Sequence, residues 1–316
     1  MNLSYRTALI TGAAGLIGSA IARRLIERGV RVVACDDFSI GTWRGADKRL
    51  IWEEGDVADA RCVERLSRHS IDVVVHAAAH PGGKSLAEPS DNVRVNALGS
   101  MRLFEWCARS HVPVVYLSSC AVYGEQPPLP ICETATLRPG TVYAVCKVAC
   151  EQFLRILEAG YRLPWMVLRV FATYGAGHQP STHQGIVNVL LTQLLAGNEV
   201  VVRGSLDRVR DLVSVEDAAQ AIMTCLLNEQ AWGRVINVGT GVPVTIRELL
   251  AHLCEHLDRP MERLVVRHAE PTVGDPAYSV AEISQLRRLG VVPQARLREG
   301  VERLVRARRQ RVLASP

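Results

Sequence analysis

Aromatic side chains are scarce in this chain: Phe, Trp and Tyr together make up 5% of 316 residues. With few rings for base stacking and no nucleic-acid-binding motif, nucleic acid is set aside as a partner. No apolar run approaches the roughly 18 residues that a membrane span requires, so no membrane segment is expected. The first residues, Met1-Asn2-Leu3-Ser4-Tyr5-Arg6, run directly into a strand pattern and leave no room for a signal peptide. The nine cysteines are an odd number without a Cys-x-x-Cys pair, which argues against a disulfide framework and against a metal site. The cytoplasm is the expected compartment. A net charge of +5 could attract an anion, but Arg303, Arg306, Arg308, Arg309 and Arg311 crowd the tail, where a solvated helix end accounts for them.

What is present is a rhythm. Thr7–Ile10, Val30–Cys35, Val73–His76, Val114–Leu117 and Met166–Val170 are short apolar runs of strand length. Amphipathic stretches at helical spacing, Ser19–Arg28, Ala97–Ser110 and Tyr143–Ala159, lie between them. Such alternation argues for an α/β fold with a Rossmann-type, doubly wound parallel sheet. After Tyr174 the rhythm breaks: a loop at Gly175–Pro180, a helix pattern at Ile186–Leu195 and a strand at Glu199–Val202 follow. Val213–Val215 and Val235–Val238 read as strands that rejoin the sheet, whereas Pro260–Arg311 is more polar and mixed. The expected organisation is a dinucleotide-binding domain over residues 1–174, rejoined by 209–240. A smaller, discontinuous substrate-binding region, 175–208 and 241–316, would close over the strand ends.

The first strand runs into Thr11-Gly12-Ala13-Ala14-Gly15-Leu16-Ile17-Gly18, and a helix pattern follows. Strand before and helix after are the context in which such glycines signify a dinucleotide. Gly12 permits the tight turn, Gly15 the approach of a pyrophosphate and Gly18 close helix–strand packing. The next strand ends in Asp36-Asp37, where a carboxylate meets the ribose hydroxyls. Asp36 would repel a 2′-phosphate, so NAD is favoured over NADP. Asp56, followed by Val57, is placed to accept from the adenine amino group.

About 130 residues beyond the turn, Tyr143 and Lys147 stand four apart on one helix face, where a cation can lower a phenol's pKa and make it a base. Ser119, at the end of the Val114–Leu117 strand, can orient a substrate oxygen. Tyr143 would take that oxygen's proton, and Lys147 would hold the ribose and tune the tyrosine. Lys84, His80, His178 and His183 are further candidates for a sugar pocket, each equally readable as a surface or loop residue. Cys146 and Cys150 read as packing residues.

These residues, with His76-Ala77-Ala78-Ala79, Asn96, Arg169–Gly175, Arg210–Val215 and Asn237–Gly241, resemble the extended short-chain dehydrogenase/reductase family from about Thr7 to Val305. The resemblance implies an NAD held through turnover and a nucleotide-linked sugar as substrate. It implies a homodimer built on the Tyr143–Ala159 and Ala97–Ser110 helices. It places Leu16, Ile17, Val57, Ala77, Ala78, Ala79 and Asn96 at the cofactor. Arg210 matches the family's diphosphate-binding arginine, a bidentate anion ligand; pairing with Asp211 or Asp217 is the bland alternative. Two positions depart from the pattern, Ala172 for an Asn and Thr272 for an Arg, and both usually help to hold the diphosphate.

The reaction turns on the residues after Ser119. The Asp-Glu pair of the 4,6-dehydratases resembling this chain is here Cys120-Ala121, and 4-epimerases carry small residues there. Cys120 is therefore either a packing residue or a proton shuttle near C5 or C6 of the sugar. The second reading resembles the exo-glycal-forming UDP-N-acetylglucosamine 5,6-dehydratases of tunicamycin-type antibiotic pathways. A non-catalytic, NAD-responsive regulator is an alternative of another class, against which the intact Ser119, Tyr143 and Lys147 argue.

Overall fold

Alternating strands and helices build the first lobe of this computed structural model, which describes residues 5–181 and 184–314. In chain order they are β1 (Thr7–Thr11), α1 (Leu16–Glu27), β2 (Arg31–Asp36), β3 (Leu50–Glu54), α2 (Ala60–Leu66) and β4 (Val73–His76). Next come α3 (Pro89–Asn92), a wide helical turn at Val93–Gly99, α4 (Ser100–Ser110), β5 (Val114–Ser119), α5 (Val142–Tyr161) and β6 (Trp165–Val170). After β6 follow β7 (Ala172–Tyr174), α6 (Ile186–Ala196), β8 (Glu199–Arg203), β9 (Val209–Ser214), α7 (Val215–Leu226) and β10 (Val235–Val238). The chain ends with β11 (Pro243–Thr245), α8 (Ile246–His256), β12 (Val265–Ala269), β13 (Tyr278–Ser279), α9 (Ser284–Arg288) and α10 (Leu297–Ala314).

Seven strands form a wholly parallel sheet in the order β10-β6-β5-β4-β1-β2-β3. Its central strands are apolar on both faces because both are covered, as parallel sheets require. One apolar core lies under α1 and α7, and a second lies under α2, α4 and α5. The expected doubly wound sheet is thus present.

Two features depart from the sequence reading. β3 is an edge strand, Leu-Ile-Trp-Glu-Glu, no residue of which is fully buried, and its polar end gives it no apolar run to betray it. The Val213–Val215 segment does not rejoin the main sheet. Val213 belongs to β9, which pairs with β7, β11 and β13 in a separate small sheet, while Val235–Val238 does take the edge beside β6. A local pattern identifies a strand but not its neighbour. The β8–β12 pair, α6, α8 and α10 enclose a third core beside that small sheet.

The tail also differs from expectation. Arg303, Arg306 and Arg309 are exposed, but Arg308 is buried on α10 and donates to Asn188. His183 and the side chain of Arg311 lie outside the described residues. Among the described residues no helix is long and apolar enough to cross a membrane.

Candidate active site

The parallel strands of the main sheet deliver their C-terminal ends to one side, and most of the candidate site residues collect there. At β1, Gly12 has φ +68°, and a Cβ on it would lie 2.6 Å from the Ala78 nitrogen. A Cβ on Gly18 would lie 2.1 Å from the Gly12 carbonyl oxygen, so α1 can approach the turn only without a side chain there. Gly15 caps α1 with no side chain bonded to the helix end, leaving the first amides, including those of Leu16 and Ile17, to face an anion. This cradle fits a dinucleotide pyrophosphate.

Asp36, buried at the end of β2, accepts from the amides of Ala14 and Phe38, both at 2.8 Å. Burial raises its pKa, while these two bonds pull the other way. Each oxygen keeps a second lone pair for a ribose hydroxyl. Asp37 is turned to the Ser39 amide (3.0 Å) and hydroxyl (2.6 Å), so its side chain closes the turn after β2. Asp56 accepts from the Ala58 amide at 2.8 Å and from Arg94, beside the buried Val57.

The Ala77-Ala78-Ala79 segment leaves β4 and is held from two sides. Thr11 receives the amides of Ala77 on its carbonyl (3.1 Å) and Ala78 on its hydroxyl (3.3 Å). Asn96 is buried, with its amide oxygen on the His80 amide (2.7 Å) and its amide nitrogen on the His80 carbonyl and the Asn92 side chain (3.0 Å each). Asn96 thus positions the segment through its main chain. Beneath, the fully buried His76 bridges the Thr11 and Ser100 hydroxyls at 2.6 and 2.8 Å, and burial pushes its pKa down to about 3.

Ser119 ends β5 and caps the following turn by accepting from the Ala121 amide at 3.2 Å. α5 brings the phenol of Tyr143 near enough for Ser119 to lower its pKa. That helix starts where it does because Thr141 accepts from the Ala144 amide (3.1 Å) and Ser85 from the Tyr143 amide (2.8 Å). Ser85 was not anticipated from sequence.

Lys147 lies one turn on, 3% exposed, donating to the Leu117 carbonyl at 2.8 Å, with its nitrogen 5.6 Å from the Tyr143 ring centre. The tuning differs from expectation. Burial pushes the Tyr143 phenol up to about 12, opposed by the Ser119 hydroxyl nearby, and pushes Lys147 down to about 8. In the protein alone the tyrosine is therefore a protonated phenol rather than one already lowered by the lysine.

The half-buried Cys120 follows Ser119 at the start of the turn after β5, and Ser279, Arg210 and Asp211 act on its thiol. Burial raises its thiol pKa; Ser279, Arg210 and Ser119 oppose this, and Asp211 adds to it. Two of the four expected pocket residues are engaged elsewhere. Lys84 and His80 share the Glu88 carboxylate at 3.2 and 2.9 Å, and His178 is buried with its pKa pushed down to about 4. Arg210 pairs with neither Asp211 nor Asp217; its partner is Asp275, at 2.6 Å. Asp211 instead accepts four bonds from Thr240, Gly241 and Ala281. Among the described residues no His, Cys, Asp and Glu cluster could hold a metal ion.

Residues 8–239 match the model of the NAD dependent epimerase/dehydratase family. A UDP-glucose 4-epimerase of Mycolicibacterium smegmatis is 32% identical over 307 residues, covering 94% of this chain and 96% of that one. The solved UDP-glucose 4-epimerase of Thermus thermophilus, in complex with NAD, superposes with a TM-score of 0.89 at 32% identity, over 96% of this chain and 99% of that chain. DesIV, a dTDP-glucose 4,6-dehydratase from Streptomyces venezuelae solved with NAD, has a TM-score of 0.89 at 27% identity, over 96% and 97%. Similarity thus extends to both reaction types along nearly the whole length. This chain belongs to the NAD-dependent epimerase/dehydratase family, and NAD is its cofactor.

Proposed function

We propose that this enzyme oxidises C4 of a nucleotide-linked sugar transiently, with a UDP-sugar favoured, and then expels the C6 hydroxyl to leave a 5,6-alkene. NAD, when bound, supplies a hydride acceptor and donor at C4 and a positive charge beside the phenol. Ser119 orients the C4 oxygen and Tyr143 holds and returns its proton. Lys147, charged below about pH 8, adds to the field that brings the phenol down. Leu16, Ile17, Asp36 and Val57 line the cofactor's side, and Arg210 serves the diphosphate.

The observation that carries the elimination is the place of Cys120. It directly follows Ser119 at the end of β5, where dehydratases resembling this chain carry an acid. A C4 ketone acidifies the C5 hydrogen; the thiol moves a proton at C5 or C6 as hydroxide leaves as water. Hydride then returns to C4, so the net change is loss of one water. A second reading, 4-epimerisation, is favoured by the raised thiol pKa, which leaves Cys120 a neutral small side chain.

Product mass separates them. Incubation with UDP-N-acetylglucosamine should give a product lighter by one water, and Cys120→Ala should stop its formation. An isomer of unchanged mass, formed equally by Cys120→Ala, would assign the enzyme to the epimerases. We also propose a homodimer through α4 and α5, since Val145 and Ile156 expose 51% and 67% of their surface on α5. Light scattering of the purified protein tests this, and a monomer would refute it.

A further inference from the structure

Arg208 directly precedes β9 and Arg210 lies within it, two residues apart and thus on one side of the strand. Both guanidinium groups converge on one carboxylate: Arg210 donates to one oxygen of Asp275 at 2.6 Å, and Arg208 to the other. The arginine side chains are 10% exposed and Asp275 is 32% exposed. Among the described residues no other carboxylate pairs with either arginine. Two nearly buried cations therefore face one partly exposed anion, and one positive charge is left over in a desolvated place. Arg208 registers this: burial lowers its pKa, the charge of Arg210 lowers it further, and Asp275 opposes both.

The surplus charge faces the chemistry. Arg210 lowers the pKa of the Cys120 thiol, as does Ser279, its register partner across β9 and β13. Asp275 sits on a loop that also touches the catalytic helix. Gly274 has φ +75°, and a Cβ there would lie 2.4 Å from the Gly140 oxygen and 2.7 Å from the Thr141 methyl. Thr141 is the cap of the helix that carries Tyr143. Asp275 is thus a charged group on a connecting loop, bonded to arginines through a partly solvated carboxylate.

We propose that Arg208 joins Arg210 in a two-guanidinium site for the substrate's diphosphate, and that Asp275 is an internal placeholder which the diphosphate displaces. Arg208 supplies a second cation where position 272 offers only a threonine. The inference rests on the nucleotide-sugar reading above, but its anion chemistry can be tested separately.

Isothermal titration of the NAD-loaded protein with UDP, uridine and inorganic pyrophosphate provides the test. Arg208→Gln should weaken UDP and pyrophosphate by about tenfold, the scale of one charge-assisted pair, and leave uridine unchanged. Arg208→Lys should recover part of the loss. Asp275→Asn should tighten pyrophosphate by about threefold or more, because the competing anion is gone. Wild-type affinity of Arg208→Gln for both anions, an equal loss for uridine, or no gain in Asp275→Asn would overturn the proposal. Pyrophosphate binding that depends on Arg208, with no binding of UDP, would uphold the anion site and refute the nucleotide substrate.

Discussion

In the first lobe the Glu151 carboxylate accepts from the Ser118 hydroxyl at 2.6 Å and from two nitrogens of Arg169, at 3.0 and 2.6 Å. Arg169 also donates to the Tyr123 hydroxyl and the Glu133 carbonyl, both at 3.0 Å, and the Tyr123 hydroxyl passes on to Asn237. Charges match one to one, and both side chains of the pair are 4% exposed or less. Beside β9, in the small sheet, Asp275 is shared by two arginines and stands a third exposed. The contrast is between a closed network that fixes β5, α5, β6 and β10 beneath Ser119 and Lys147, and an open one with charge to spare. Saturated buried groups hold a scaffold, whereas under-neutralised ones can take a ligand.

The largest effect expected falls on the catalytic face itself. Tyr143→Phe keeps the ring against Gly82 and removes only the oxygen proposed to carry the proton, so turnover should fall by at least about a thousandfold. NAD should remain bound, as read by its absorbance in the purified protein. Wild-type turnover would remove Tyr143 from the chemistry and with it the distinction between a catalytic lobe and an anion-binding one.

The scaffold comparison comes next. Glu151→Gln leaves the Arg169 charge buried without its anion and should cost about 3–5 kcal/mol. Asp275→Asn, acting on a partly exposed group, should cost only about 1 kcal/mol. Urea midpoints of the two variants measure the difference. Equal losses would mean that the second network is as structural as the first.

The two regions also differed in how far the sequence revealed them. Gly12 and Gly18 are legible as candidates because a strand run meets a helix pattern there, Asp36 and Ser119 because they end strand runs, and Tyr143 and Lys147 because they stand four apart in one helix pattern. Glu151 was overlooked although it lies four residues after Lys147 on the same helix face, because one charge in an amphipathic helix reads as solvated. The pairing of Arg208 and Arg210 with Asp275 spans more than 60 residues and joins a strand to a loop, so no local pattern encodes it. The same limit misplaced Val213–Val215, since the strand β9 that holds Val213 has its partners in β7, β11 and β13. Arg308 reads as part of a solvated tail because Asn188 on α6, which it meets, is 120 residues away.

The smallest effect concerns what the catalytic face costs its own lobe. Lys147 is buried and its pKa is pushed from 10.5 down to about 8, so folding disfavours its charged form. Between about pH 8 and 10.5 the unfolded chain holds a proton here that the folded chain has lost, so stability from this group rises with pH across that window. Below pH 8 both states are charged and the folded one bears the full penalty. Lys147→Met, similar in length and apolar, should therefore raise stability at pH 7 by about 1–2 kcal/mol while removing most turnover. The advantage should shrink as pH approaches 10.5, where the wild-type lysine is neutral when folded. Urea titrations of both proteins at pH 7 and pH 10, without added cofactor, measure this crossover. A variant less stable than wild type at pH 7 would mean that the Leu117 bond and the Tyr116 ring, whose centre lies 4.7 Å from the Lys147 nitrogen, compensate the buried charge and make Lys147 part of the scaffold.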